Sequence, residues 1–206
     1  MPCAVTLAPA STVVTSCSGN SGTHPAPPTP ASTGPRIPFT PIPRPLDTGR
    51  VNSDPCGLLD LEQLSQLDFG FPDDGAAGIP KRKKLGCAWN QATTVRVSVT
   101  AAAPSFQATT LTELAANHDK SPDRYAHWEE SSLDGLPVIF SWRPGATEDC
   151  EAAVGTSTTE VLYVDFQRFA DLPGDPPGKP RHWQGNPCGA AAKAAEFVIG
   201  KLRDGH

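Results

Sequence analysis

Two of the six cysteines of this 206-residue chain stand in nearly the same tetrapeptide, Asp54-Pro55-Cys56-Gly57 and Asn186-Pro187-Cys188-Gly189. Each copy runs into an apolar segment with helical spacing. Asp and Asn are good N-caps, and Pro at the first helical position loses an N–H that would be unpaired anyway. The cysteine then falls in the first helical turn. There the helix dipole and unpaired N–H groups lower a thiol pKa and favour the thiolate. That is the chemistry of a thiol–disulfide oxidoreductase. Such enzymes usually keep both sulfurs in one Cys-x-x-Cys, a motif this chain lacks. The competing reading is a structural bridge used twice.

Other reactive combinations are weaker. Neither G-x-S-x-G nor H-E-x-x-H is present, so no nucleophile elbow or zinc helix is signalled. His118, His127 and His182 show no metal-ligand spacing, and short Cys/His pairs typical of zinc are missing. No catalytic residue, metal or cofactor is therefore expected. Lys81-Arg82-Lys83-Lys84 is the one dense basic run; with Trp183, which lies between Arg181-His182 and a Pro/Gly loop, it forms the candidate binding surface. The basic run would suit anionic head groups or wall polymers, but its ordinary role is a solvated loop entering a strand. Packing is the ordinary role of Trp183. Trp89 shares a strand face with Cys87 and is expected to pack against a disulfide.

The elements that must position these residues follow from periodicity. Leu58, Leu61 and Leu64, with Leu59 and Leu67, make an apolar stripe on a helix starting at Asp54 and fading by Asp68. LGCAWNQ and TVRVSVTAAA read as strands, with Val95, Val97 and Val99 buried and Arg96 and Ser98 wet. Thr110 caps a second helix that buries Leu111, Leu114 and Ala115, with Glu113 completing a capping box. YAHWEESS and LPVIFSWRP flank a hairpin turn at Leu133-Asp134-Gly135. CEAAVGTS and EVLYVDFQRF form another strand pair, and the last helix follows Asn186 with Ala191, Ala195, Val198 and Leu202 inward. The order α-β-β-α-β-β-β-β-α predicts an α+β fold: an antiparallel sheet of about six strands, three helices packed on one face, stapled by disulfides. Strand order is not legible.

Cys56, Cys87, Cys150 and Cys188 are an even set within that domain, and outside the cytoplasm such cysteines are usually bridged. Three connectivities are open. Placement favours Cys56 with Cys87 and Cys150 with Cys188, since each pairing joins a helix start to a nearby strand.

Residues 1–16 are small and mildly apolar and end in Val14-Thr15-Ser16 before Cys17, a sequence that resembles a bacterial lipobox. In lipoproteins the thiolate of that cysteine accepts the diacylglycerol as a thioether. Residues 1–16 are thus expected to be a signal peptide, although no Lys or Arg precedes Arg36; a signal peptide needs a charged start, so the natural start is expected upstream. Residues 17–52 are rich in Ser, Thr, Gly and Pro without a periodic apolar face, and read as a disordered tether carrying the lipidated Cys17. Residues 53–206 are the domain.

DPCGLLDLEQL, GCAWNQ before a Val-alternating strand, C-x-x-x-VG-x-S before another strand, and NPCGAAAKAAEFVIGKL resemble an actinobacterial lipoprotein family known as domain of unknown function 3558. The likeness covers roughly residues 50–203. It implies acylation at Cys17 and a disulfide-bearing extracytoplasmic domain, and carries no reaction.

A net charge of −5 argues against nucleic acid as partner, and no apolar run reaches the ~18 residues of a membrane span. The expected protein is a non-enzymatic binding or accessory lipoprotein of the cell envelope. It would be anchored by lipid on the extracytoplasmic face of the membrane, with a wall polymer or membrane protein as candidate partner. The alternatives are an extracytoplasmic thiol oxidoreductase or hydrolase, or a sensor acting on a membrane partner.

Overall fold

A computed structural model describes residues 42, 44–69, 79–83, 86–91, 95–101, 110–146, 148–168, 182–183 and 185–204. The signal segment, Cys17, most of the expected tether and Lys84 lie outside the described residues.

Among the described residues, seven strands form one sheet in the order β1-β2-β3-β7-β6-β5-β4, every neighbour antiparallel. They are β1 Ile79–Lys83, β2 Gly86–Gln91, β3 Val95–Thr100, β4 His127–Leu133, β5 Leu136–Trp142, β6 Asp149–Gly155 and β7 Val161–Arg168. The α+β, antiparallel and disulfide-stapled expectation holds. The additional strand is β1, which takes in Lys81, Arg82 and Lys83 where a loop was expected. It pairs with β2 on one side only, and charged residues on an edge strand discourage further pairing.

The first helix is broken into pieces. Residues Gly49–Ser53 form α1, Pro55–Leu58 a 3-10 turn, and Leu61–Ser65 α2. The interruption has a local cause. Asp60 accepts a hydrogen bond from the Gln63 N–H at 2.9 Å, and the Gln63 side chain accepts one from the Asp60 N–H at 3.0 Å. This reciprocal cap starts a new helix and leaves Leu59 extended. Its phase shift corrects one expectation: Leu61, assigned to the buried stripe, is 59% exposed. Leu58, Leu59, Leu64 and Leu67 are buried as expected.

The chain joins the core earlier than residue 53. Val51 is fully buried, Leu46 nearly so, and the Leu46 N–H donates to the Thr156 carbonyl at 2.8 Å. The last residues assigned to the tether are therefore part of the domain, fastened to the connection between β6 and β7.

Helix α4, Pro187–Arg203, lies on β6 and β7. Its inward residues Ala190, Ala191, Ala194 and Ala195 are small enough to bring the helix backbone close to the sheet. Val198, Ile199 and Leu202 fill the wider end. This face also receives Val97 and Val99 of β3, Leu162, Val164 and Phe166 of β7, and Leu58, Leu59, Leu64 and Leu67. Each large apolar side chain buried there contributes on the order of 1.5–3 kcal/mol.

Helix α3, Leu111–Lys120, is on the opposite face, which corrects the one-face arrangement expected from the sequence. Leu111 and Leu114 form a second cluster with Ile139, Ala153, Val161 and Tyr163, residues that alternate with those of the main core along β5, β6 and β7. The Thr110 hydroxyl accepts from the Glu113 N–H at 3.1 Å, which is the Thr110 half of the expected capping box. Between β4 and β5, Asp134 and Gly135 both take positive φ, 51° and 76°. This is the mirror-type turn that matches strand twist in a two-residue hairpin.

Candidate functional site: a polar cleft on the sheet

The two proline–cysteine motifs fold alike. Asp54 and Asn186 have almost the same backbone angles, and each side chain accepts from the N–H of the glycine three residues on, at 3.2 and 3.0 Å. A Cβ added to Gly57 would collide with the Asp54 carboxylate; one added to Gly189 would meet the Asn186 amide and the Trp183 ring. Glycine is required by the folded-back cap. The cysteines between are bridged, Cys56 to Cys87 and Cys150 to Cys188, with Cα separations of 5.1 and 5.0 Å. Trp89 is buried in the core that holds Cys87, Cys150 and the partly buried Cys56 and Cys188.

Trp183 is half-buried and turned inward. Its indole N–H donates to the Gln66 carbonyl at 2.8 Å, and its backbone N–H to Asp68 at 2.9 Å. Trp183 packs partly buried against the main core, the ordinary role expected for it. Lys81, Arg82 and Lys83 are placed on edge strand β1, away from the cleft described next.

That cleft lies on the face of the sheet opposite α4, beside the part covered by α3, and has a volume of about 410 Å³. Its floor is set by register. Ser98 of β3 is opposite Asp165 of β7, Asp165 is opposite Glu151 of β6, and Glu151 is opposite Ser141 of β5. Because side chains alternate along a strand, these four point to one face and make a polar row across four strands. The next row contains Arg96, Gln167 and Asp149. Tyr125 and Arg143 border the row at its β5 side, whereas the Trp142 ring, next to Ser141 in β5, packs against the main core on the other face. Ser98 Oγ donates to Asp165 Oδ2 at 3.3 Å, and Arg96 Nη1 donates to Gln167 Oε1 at 3.4 Å. Trp142 is held by a parallel stack on His127, centroids 4.0 Å apart.

Burial, and repulsion from neighbouring carboxylates, perturb the carboxyls. Glu151 is raised from the usual 4.5 to about 7, first by burial and then by the Asp165 charge, with Arg143 opposing. Asp165 is raised from 3.8 to about 6, chiefly by burial, against the pull of Arg96 and the Ser98 hydroxyl. Burial also raises Asp149 and Tyr125. Two carboxyls therefore titrate near neutrality on adjacent strands, a pattern that marks functional sites more often than structural ones. Among the described residues no group of three or more His, Cys, Asp or Glu is placed to hold a metal.

None of the cleft residues was singled out from the sequence. The available signal was the alternation of polar residues in Asp149-Cys150-Glu151 and Tyr163-Val164-Asp165-Phe166-Gln167. It says only that each strand has a wet face. Their convergence depends on β7 lying between β3 and β6, which no local pattern reports.

Comparison with known proteins brings one match. The family model described as "Protein of unknown function (DUF3558)" matches residues 12–201. No curated protein and no solved structure matches the chain. The match extends over nearly all of the sequence, including both proline–cysteine motifs and every strand of the cleft. The chain thus belongs to the DUF3558 family of proteins of unknown function.

Proposed function

We propose that the chain is a lipid-anchored binding domain of the cell envelope, held to the extracytoplasmic face of the membrane through Cys17 and taking a ligand in the cleft over β3, β7, β6 and β5. The cleft is the observation that carries this reading: a concavity of about 410 Å³ with convergent polar groups and the Tyr125 ring at its edge has the character of a small-molecule site. The disulfides are consistent with an oxidising compartment outside the cytoplasm.

Two measurements test it. Metabolic labelling with a fatty acid should mark the wild type and leave Cys17→Ser unlabelled; an unlabelled wild type refutes the anchor. Heteronuclear NMR of the full chain, titrated with solubilised envelope fractions, should shift the Glu151 and Asp165 amide signals. Ala146→Trp, at the cleft margin, should block that shift, and an equal shift in this variant refutes the cleft.

The carboxyl pair favours a second reading, a hydrolase. A carboxyl titrating near neutral pH is suited to general acid–base work, and Glu151 beside Asp165 would supply it. Turnover of envelope-type esters or glycosides that disappears in both Glu151→Gln and Asp165→Asn would establish this reading and displace the first.

A further inference from the structure

We infer that the cleft binds a small organic cation, a primary ammonium on a short carbon stem, with the charged nitrogen between Glu151 and Asp165. The inference rests on the cleft being the ligand site and names the chemistry of its ligand.

Glu151 and Asp165 are directly opposite on β6 and β7, and like charges in that position destabilise a sheet. The fold compensates only one of them. Asp165 accepts from Ser98 and has Arg96 nearby. Among the described residues none donates a hydrogen bond to the Glu151 carboxyl, whose neighbours are Asp165 and, more weakly, Arg143. Arg96 is turned toward Gln167. Its buried Nε has no hydrogen-bond acceptor, so the site is incomplete on the donor side as well. Counting formal charges on the lining, Arg96 and Arg143 give +2, and Asp149, Glu151 and Asp165 give −3, leaving −1.

An ammonium group fits this deficit. Its three N–H donors match two carboxylates and the oxygen of Ser98 or Ser141, the residues flanking the pair in the same row. The Tyr125 ring borders the cleft, and aromatic faces attract organic cations. A bare divalent metal ion fits less well, since it asks for more oxygen ligands than this pair offers.

The pH dependence follows in sign. The ammonium favours ionised carboxylates, so affinity rises as pH rises through the range where Asp165 and Glu151 lose protons, about 6 to about 7, and binding releases protons. The other charged or titratable groups facing the pair are Arg96 from β3, Asp149 from β6, Arg143 after β5, and Tyr125 before β4. Tyr163 on β7 is held protonated far above this range, and Glu113 of α3 acts on Tyr163.

The test is an NMR titration of the ¹⁵N-labelled full chain with n-butylammonium. Its isosteres 1-butanol and butyrate, together with glucose and Ca²⁺, serve as comparisons. At about pH 8, n-butylammonium should give saturable shifts at the Glu151 and Asp165 amides, at least about tenfold weaker at about pH 5. Glu151→Gln and Asp165→Asn, isosteric changes that relieve repulsion, should each weaken binding by about tenfold. Saturable, pH-independent shifts from 1-butanol or glucose at the same signals overturn the cation and leave the cleft as the ligand site. Saturable shifts from Ca²⁺ without n-butylammonium overturn it in favour of a metal. No shift at these signals from any probe overturns both the cation and the cleft.

Discussion

Replacing Glu151 by Gln preserves side-chain shape while removing a charge that the folded protein holds at a disadvantage. A carboxyl whose pKa rises from 4.5 in the unfolded chain to about 7 in the folded one binds more protons when folded throughout that window. Stability therefore falls as pH rises through it. At about 1.4 kcal/mol per pH unit, the full effect at alkaline pH is about 3 kcal/mol. The carboxyl faces the cleft, where water screens part of the penalty, so about 2 kcal/mol is the expected gain for Glu151→Gln at about pH 8. At about pH 4 the wild-type carboxyl is protonated in both states and the gain vanishes. In urea unfolding with the disulfides intact, that gain moves the midpoint upward by about 1 M, given a slope of about 2 kcal/mol per molar. A midpoint difference that is the same at about pH 4 and about pH 8, or a variant less stable at about pH 8, would refute the reasoning. Either result would mean that the Glu151 carboxyl is solvated or neutralised in the folded protein.

The remaining expectations concern the staples and their caps. Removing the Cys150–Cys188 bridge by replacing both residues with Ala opens a loop of 38 residues, and the chain-entropy relation gives a loss of about 4 kcal/mol, readable as a lower unfolding midpoint; no loss would show that the bridge constrains nothing. Counting free thiols in the unreduced protein should find Cys56, Cys87, Cys150 and Cys188 unreactive, and a fast-reacting pair at Cys56 or Cys188 would restore the oxidoreductase alternative. Gly189→Ala drives a methyl into Asn186 and the Trp183 ring and should cost about 1–3 kcal/mol, whereas Gly200→Ala, with open space around it, should be neutral or slightly stabilising. Asn186→Ala removes the acceptor for the Gly189 N–H and should lower stability by about 1 kcal/mol.

Much of the fold was legible because its signals are local. Val97 and Val99 alternate with Arg96 and Ser98, and both the buried and the wet side of β3 follow from that pleat. Asp134-Gly135 marks its hairpin because few residue pairs tolerate two successive positive φ angles. The break at Asp60 was missed because the leucine stripe runs through it, and periodicity outweighed a cap lying within the apparent helix. Placing α3 on the face opposite α4 was missed because an amphipathic helix reports that it has a buried side, not which surface buries it. The edge strand at Lys81 was masked by its charge, which reads as loop until a neighbour is known.

The sequence by itself determined the two capped proline–cysteine turns and the strands that alternate, and favoured by nearness the cysteine pairing that the fold forms. All of these depend on residues close in the chain or on adjacent elements. Only the tertiary structure decided the site. Inserting β7 between β3 and β6 brings Ser98, Asp165, Glu151 and Ser141 into one row. Each strand's pleat fixes which of its residues are wet, but the choice of neighbour and register belongs to packing across the whole sheet. Two carboxyls more than ten residues apart in the chain thereby become opposite one another on β6 and β7, where burial raises both pKa values and the Asp165 charge raises that of Glu151 further.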